Sequence, residues 1–125
     1  MKNTLAILFG LLLSHSQSWA APTEIWGGNH LQLEVIGDSA RFMFDCASAE
    51  VAEGWMVRHG RIDAEGFYTP SSGVRPMPGH EPKTETARFA AVISGSKMKV
   101  KIETKSGIST YRLVRGQQGV IHRCM

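Results

Sequence analysis

The sequence predicts an all-β fold: a small antiparallel up-and-down β-barrel of about eight short strands, tied by one disulfide. Three observations carry that expectation. Apolar residues beyond position 20 recur with a period of two, and no long helical pattern competes with them. The runs are joined by short turns rich in Gly, Ser and Asp, which suit antiparallel neighbours and leave no room for parallel crossovers. The two cysteines, Cys46 and Cys124, close an early run and the last one, so a bond between them would pin the chain in between.

Residues 1–20 stand apart from this pattern. Met1-Lys2-Asn3 is a short positive start, residues 5–13 are apolar, and Ser18-Trp19-Ala20 is a small-x-small site. That layout is a secretory signal peptide, removed between Ala20 and Ala21. Its apolar run falls well short of the ~20 residues that span a bilayer. The expectation is an exported protein, periplasmic or extracellular and not membrane-spanning, with residues 21–125 as one domain. A domain this small buries only about two-thirds of its unfolded surface, and an oxidising compartment lets a disulfide supplement the core. The loop closed by Cys46 and Cys124 is long, so its chain-entropy contribution is roughly 4 kcal/mol.

In the mature chain, Leu31, Leu33 and Val35 alternate with Gln32, Glu34 and Ile36 before Gly37-Asp38-Ser39 turns the backbone. The next run puts Ala40, Phe42, Phe44 and Cys46 on one face and Arg41, Met43 and Asp45 on the other. Residues 47–54 are ambiguous. Ser48 could cap a helical turn ended by Gly54, but the segment is brief and extended or irregular structure is preferred. Residues 55–58 and 61–63 flank His59-Gly60, a tight hairpin signal, and Gly66 reads as a bulge or bend before residues 67–69.

From 70 to 82 the composition changes: Pro70, Pro76, Pro78 and Pro82 fall here with Gly73 and Gly79, marking a long loop. Phe89, Ala91 and Ile93 then alternate with Arg88, Ala90 and Val92. After Ser94-Gly95-Ser96 comes the clearest strand, with Met98, Val100 and Ile102 on one face and Lys97, Lys99, Lys101 and Glu103 on the other. Runs at 108–114 and 120–124 follow. The expected inward set includes Leu31, Leu33, Phe42, Phe44, Val57, Ile62, Phe67, Phe89, Met98, Val100, Ile102, Tyr111, Leu113 and Val120. These are bulky enough to fill a barrel of eight short strands, so a packed interior is favoured over a lipocalin-like cavity.

Gly28-x-His30, Asp45-Cys46-Ala47, Gly66-Phe67, Pro78-Gly79, Gly95-x-x-Met98-x-Val100 and the terminal Arg123-Cys124 resemble a group of small exported bacterial β-barrel proteins of unknown function. The resemblance implies fold type and export, and no activity.

Chemistry-bearing residues are sparse. His30, His59, His80 and His122 lack metal-ligand spacing, and His122 shares Cys124's parity, which points it inward. There is no Gly-x-Ser-x-Gly elbow, and no metal or other cofactor is expected. Residues 21–96 carry six basic and ten acidic side chains, whereas residues 97–125 carry seven basic and one acidic. The strip Lys97, Lys99, Lys101 is a candidate anion-binding face, set against a plain solvated face. An exported protein with no aromatics among those lysines is not expected to bind nucleic acid. Val74, Arg75, Met77 and His80, held between prolines, form a candidate partner-binding loop.

The leading functional expectation is a non-catalytic exported binding module, an inhibitor of an envelope or secreted enzyme being its first form. The alternatives are a small-ligand carrier barrel and, more weakly, a cell-envelope hydrolase. A cavity open to solvent would favour the carrier.

Overall fold

Alternation decides this structure strand by strand, and the result is a closed antiparallel barrel. The computed structural model describes residues 23–71, 78–79, 83–122 and 124. The strands are β1 (Thr23–Gly28), β2 (Leu31–Ile36), β3 (Ser39–Phe44), β4 (Ala47–Val51), β5 (Arg61–Pro70), β6 (Glu85–Ser94), β7 (Lys97–Thr104) and β8 (Gly107–Arg115). Each pairs with its sequence neighbours, and β1 meets β8 to close the barrel. Cys46 and Cys124 are joined, their Cα atoms 5.1 Å apart. Residues 1–20, expected to be a signal peptide, and the loop residues Val74, Arg75, Met77 and His80 lie outside the described residues.

The count of eight is as expected, but the membership differs at three places. Thr23–Gly28, not expected as a strand, is β1, pairing with β2 from Thr23↔Ile36 to Gly28↔Leu31. Its two glycines are what make the closure possible. A Cβ on Gly28 would run into the backbone carbonyl of Arg112, and one on Gly27 into the backbone of Gln117 and Gln118. Residues 47–51 form the strand β4, while 55–58 do not form one. The His59-Gly60 turn does exist: both residues have positive φ, and Arg58 and Arg61 exchange backbone hydrogen bonds of 2.8 and 3.0 Å. Its first arm holds only that bridge, because Trp55 leaves the sheet to fill the barrel.

Residues 120–124 are the third correction. Of these, 120–122 and 124 are described and form no strand, because β1 already occupies the place beside β8. The tail instead crosses β1 as a strap. Gly116 N–H donates to Ile25 O (2.6 Å), Val120 N–H to Gly28 O (2.9 Å), and His30 N–H to Val120 O (2.8 Å). Asn29 and Val120 form one isolated parallel bridge.

The inward face is an aromatic column set among small residues. Phe42 and Phe89 are fully buried and stack at 4.8 Å. Each sits across the ladder from an alanine, Phe42 from Ala49 and Phe89 from Ala64, and both alanines are buried. Large against small lets two rings share the narrow interior of a small barrel. Trp55 meets Phe42 edge-on at 5.4 Å and closes the end of the barrel where β2 turns into β3; its backbone N–H donates to Asp38 O at 2.9 Å. Trp26, also fully buried, donates from Nε1 to Glu24 Oε1 at 2.6 Å and lies under the Arg115 guanidinium.

Three residues expected inside are exposed: Val57, Phe67 and Val120. Val57 and Val120 fall outside the strands. Phe67 has a different cause. Gly66 is no bulge, since β5 and β6 stay in register through Glu65↔Arg88, Gly66↔Ala87 and Phe67↔Thr86. The parity of Ile62 and Ala64 therefore continues to Tyr68 and turns Phe67 outward.

Phe42→Ala should destabilise the domain by about 3–5 kcal/mol, as for other buried aromatics. Met43→Ala, on the outer face and half exposed, should cost less than about 1 kcal/mol. Denaturant midpoints for the two variants check this, and equal losses would contradict the facing of β3.

Candidate functional site

The end of the barrel opposite Trp55 is where β5 finishes, β6 begins and β7 turns into β8. Phe44, Tyr68, Glu85, Ile102 and Tyr111 point inward there and line a mouth of about 330 Å³. Each is placed by strand parity. Phe44 is two residues beyond Phe42, Tyr68 continues the face of Ile62, and Glu85 lies on the face of Ala87 and Phe89. Tyr111 is two residues before buried Leu113. The ring of Phe44 lies 5.7 Å from that of Tyr68 and 5.4 Å from that of Tyr111, tilted against both. Three aromatic rings thus meet along one opening.

The polar content of this mouth is unusual. Tyr68 and Glu85 are direct partners across the β5–β6 ladder. Glu85 Oε1 is buried and has no hydrogen-bond donor among the described residues. Burial, helped by the neighbouring Tyr111 and Glu85, pushes the Tyr68 phenol above its ordinary value, so it keeps its proton at physiological pH. Among the described lining residues are Thr104, Ser106 and Ser109, and no Lys, Arg or His.

Beside the mouth, the strap is fastened by a second polar group. Asp45 accepts from the His122 backbone N–H at 2.7 Å through Oδ1, and its Oδ2 lies 2.5 Å from His30 Nδ1. His122 Nε2 is 3.3 Å from Asn29 Oδ1, and the two imidazoles sit 4.6 Å apart. The backbone N–H of His122 is the main reason the Asp45 carboxyl lies below its ordinary value, opposed by burial and aided by His30. His122 is exposed, not inward as its parity with Cys124 implied, because its segment is a strap and not a strand. Among the described residues, no three His, Cys, Asp or Glu side chains converge as metal ligands.

The lysine strip falls on the outer face of β7, with Lys97, Lys99 and Lys101 all exposed. The register places Arg112 of β8 beside Lys99. No carboxylate pairs with these cations among the described residues, where the His30–Asp45 contact is the one ion pair. No helix among the described residues is long and apolar enough to cross a membrane. The outward side chains of β7 are charged where a lipid-facing strand is apolar.

No family model, curated protein or solved structure matches this chain.

Sequence reading missed Glu85 and Tyr68 as a pair. Glu85 shares the parity of Phe89, so extending that run backward by four residues would have found it. Tyr68 was hidden by the expectation of a bulge at Gly66.

The Asp45 contacts predict a pH dependence with a definite sign. A carboxyl with a lowered folded pKa contributes stability that is fully present above its unfolded value, about 4. That contribution is lost as pH falls through the folded value. Asp45→Asn should therefore lower the Tm at neutral pH, and its gap to the wild type should close below about pH 4. Thermal melts of both proteins across that range check this; a gap that does not narrow in acid would exclude Asp45 as its source.

Proposed function

We propose that this protein is an exported, non-catalytic binding module that takes a small ligand in the open mouth of its barrel. The observation that carries the reading is the asymmetry of the two ends. Trp55 fills one end, while Phe44, Tyr68 and Tyr111 surround a mouth of about 330 Å³ at the other. That volume is at the lower edge of ligand pockets, whose usual lining is aromatic walls with a few convergent polar groups. The carrier form is therefore preferred over the inhibitor form, whose residues Val74, Arg75, Met77 and His80 lie outside the described part of the chain. The disulfide supports export, since such bonds persist in oxidising compartments. The likeness to small exported bacterial barrels belongs to the same proposal.

A fragment screen by ligand-observed NMR tests it. Hits should shift the amides of Tyr68, Ile102 and Tyr111, and Ser109→Trp, which fills the mouth, should abolish them. Hits that survive that substitution, or map only to the outer groove around exposed Phe67, would overturn the reading.

A second reading rests on the cations of β7, which have no carboxylate partner among the described residues. With Arg112 beside them, Lys97, Lys99 and Lys101 form a patch suited to an anionic surface such as an envelope polyanion. Changing the three lysines to Gln should weaken retention on an anionic glycan column and flatten its salt dependence, leaving the Tm nearly unchanged. Retention equal to that of the wild type would return these residues to a solvated face.

A further inference from the structure

We infer that the ligand of the barrel mouth is a small organic cation, an amine or quaternary ammonium group, held between the Glu85 carboxylate and the rings of Phe44, Tyr68 and Tyr111. The inference rests on the mouth being a binding site and adds the charge of what enters it.

The first argument is the orphaned oxygen. A buried carboxylate oxygen without a donor is costly, because its hydration is lost and nothing replaces it. Glu85, whose Oε1 is in that state, is one of the residues lining the mouth. A hydrophobic residue there would fill the barrel end at less cost, as Ala87, Phe89 and Ala91 do further along the same face. The group that satisfies this oxygen must donate, and a cation does so most strongly.

The second argument is the walls. Aromatic faces carry negative potential, so rings around one opening favour a positive group on the ring axis and disfavour an anion. Phe44 lies 5.7 and 5.4 Å from the other two rings, so the three form one continuous aromatic surface at the mouth. Tyr68 reinforces this by keeping its proton, so it adds no second anion that would draw in a metal. Hard metal ions take six or more oxygen ligands, several of them charged, and this mouth offers one carboxylate among its described residues. The described lining also lacks a competing Lys or Arg that would neutralise Glu85 from within. Carboxylate, aromatic rings and the absence of Lys or Arg among the described lining residues point to one ligand charge.

The test compares choline with its carbon isostere, the neutral alcohol in which a quaternary carbon replaces the nitrogen. Both have the same shape, so the difference in binding reports charge alone. Titrations of the oxidised mature protein, followed by amide shifts, should place choline at Tyr68, Glu85 and Tyr111. Choline should bind about tenfold or more tightly than the isostere. Glu85→Gln should erase most of that preference without lowering the Tm, since it keeps the size of a partly buried side chain and removes its carboxylate. Tyr111→Leu, which keeps the carboxylate and removes one ring, should weaken choline more than the isostere. The wild-type comparison stands even if a variant fails to fold.

Equal binding of the two compounds at the mouth would overturn the cationic ligand and leave the binding site intact. Failure of choline while neutral fragments still occupy the mouth would do the same. If no fragment and neither compound perturbs the mouth, both the cation and the site fall together.

Discussion

The structure depends on how β1 is accommodated. This one strand pairs with β2 on one side, closes the barrel against β8 on the other, and carries the C-terminal strap across its back. Three backbones approaching one strand leave no space for side chains where they meet, and Gly27 and Gly28 supply that space. The contact with β8 is only two residue pairs, Trp26↔Arg115 and Gly27↔Val114. The strap compensates by bridging β8 to β2 over the seam. Gly116 donates to Ile25, Gly119 N–H donates to Gln32 Oε1 at 3.0 Å, and the bond from Cys124 to Cys46 ends the crossing. The disulfide thus fastens the closure of the barrel from outside as well as constraining the unfolded chain.

The interior follows a second rule, that of volume. Aromatic residues occupy β3 and β6 at the positions where β4 and β5 present alanine. The column runs from Trp55 through Phe42 and Phe89 to Phe44 and then to Tyr68 and Tyr111. Rings become more polar and less covered along that line, from a plug at one end to a wet rim at the other. A core of this kind is packed in the middle and open at one end, so a filled barrel and an aromatic mouth are compatible descriptions of one molecule.

Much of this was legible in the sequence because period-two alternation reports facing directly. The faces of residues 31–36, 40–44, 98–102 and 111–113 follow from that period, and the disulfide pairing from there being two cysteines in the chain. Two of the differences lie at glycines. Gly27-Gly28 hid a strand, yet those glycines are what strand closure requires. Gly66 was expected to shift the register, yet the ladder runs through it and Tyr68, not Phe67, faces the mouth. Trp55 and the tail were beyond local pattern altogether, since one is drawn in by a barrel end and the other excluded by a strand from elsewhere in the chain. The orphaned oxygen of Glu85 depends on three-dimensional surroundings and has no signature in the letters.

The polarity of the chain in the barrel has a practical corollary. Thr23 enters beside Ile36, at the end sealed by Trp55, while Cys124 is tied off near the corner that precedes β4, at the rim of the mouth. Whatever is joined ahead of β1, whether an affinity handle, a solid support or a neighbouring module, attaches to the blind side of the molecule. Immobilised through that side, the barrel would stand like a cup on its base with its opening toward the solution. The same cargo joined after the last cysteine would sit at the lip.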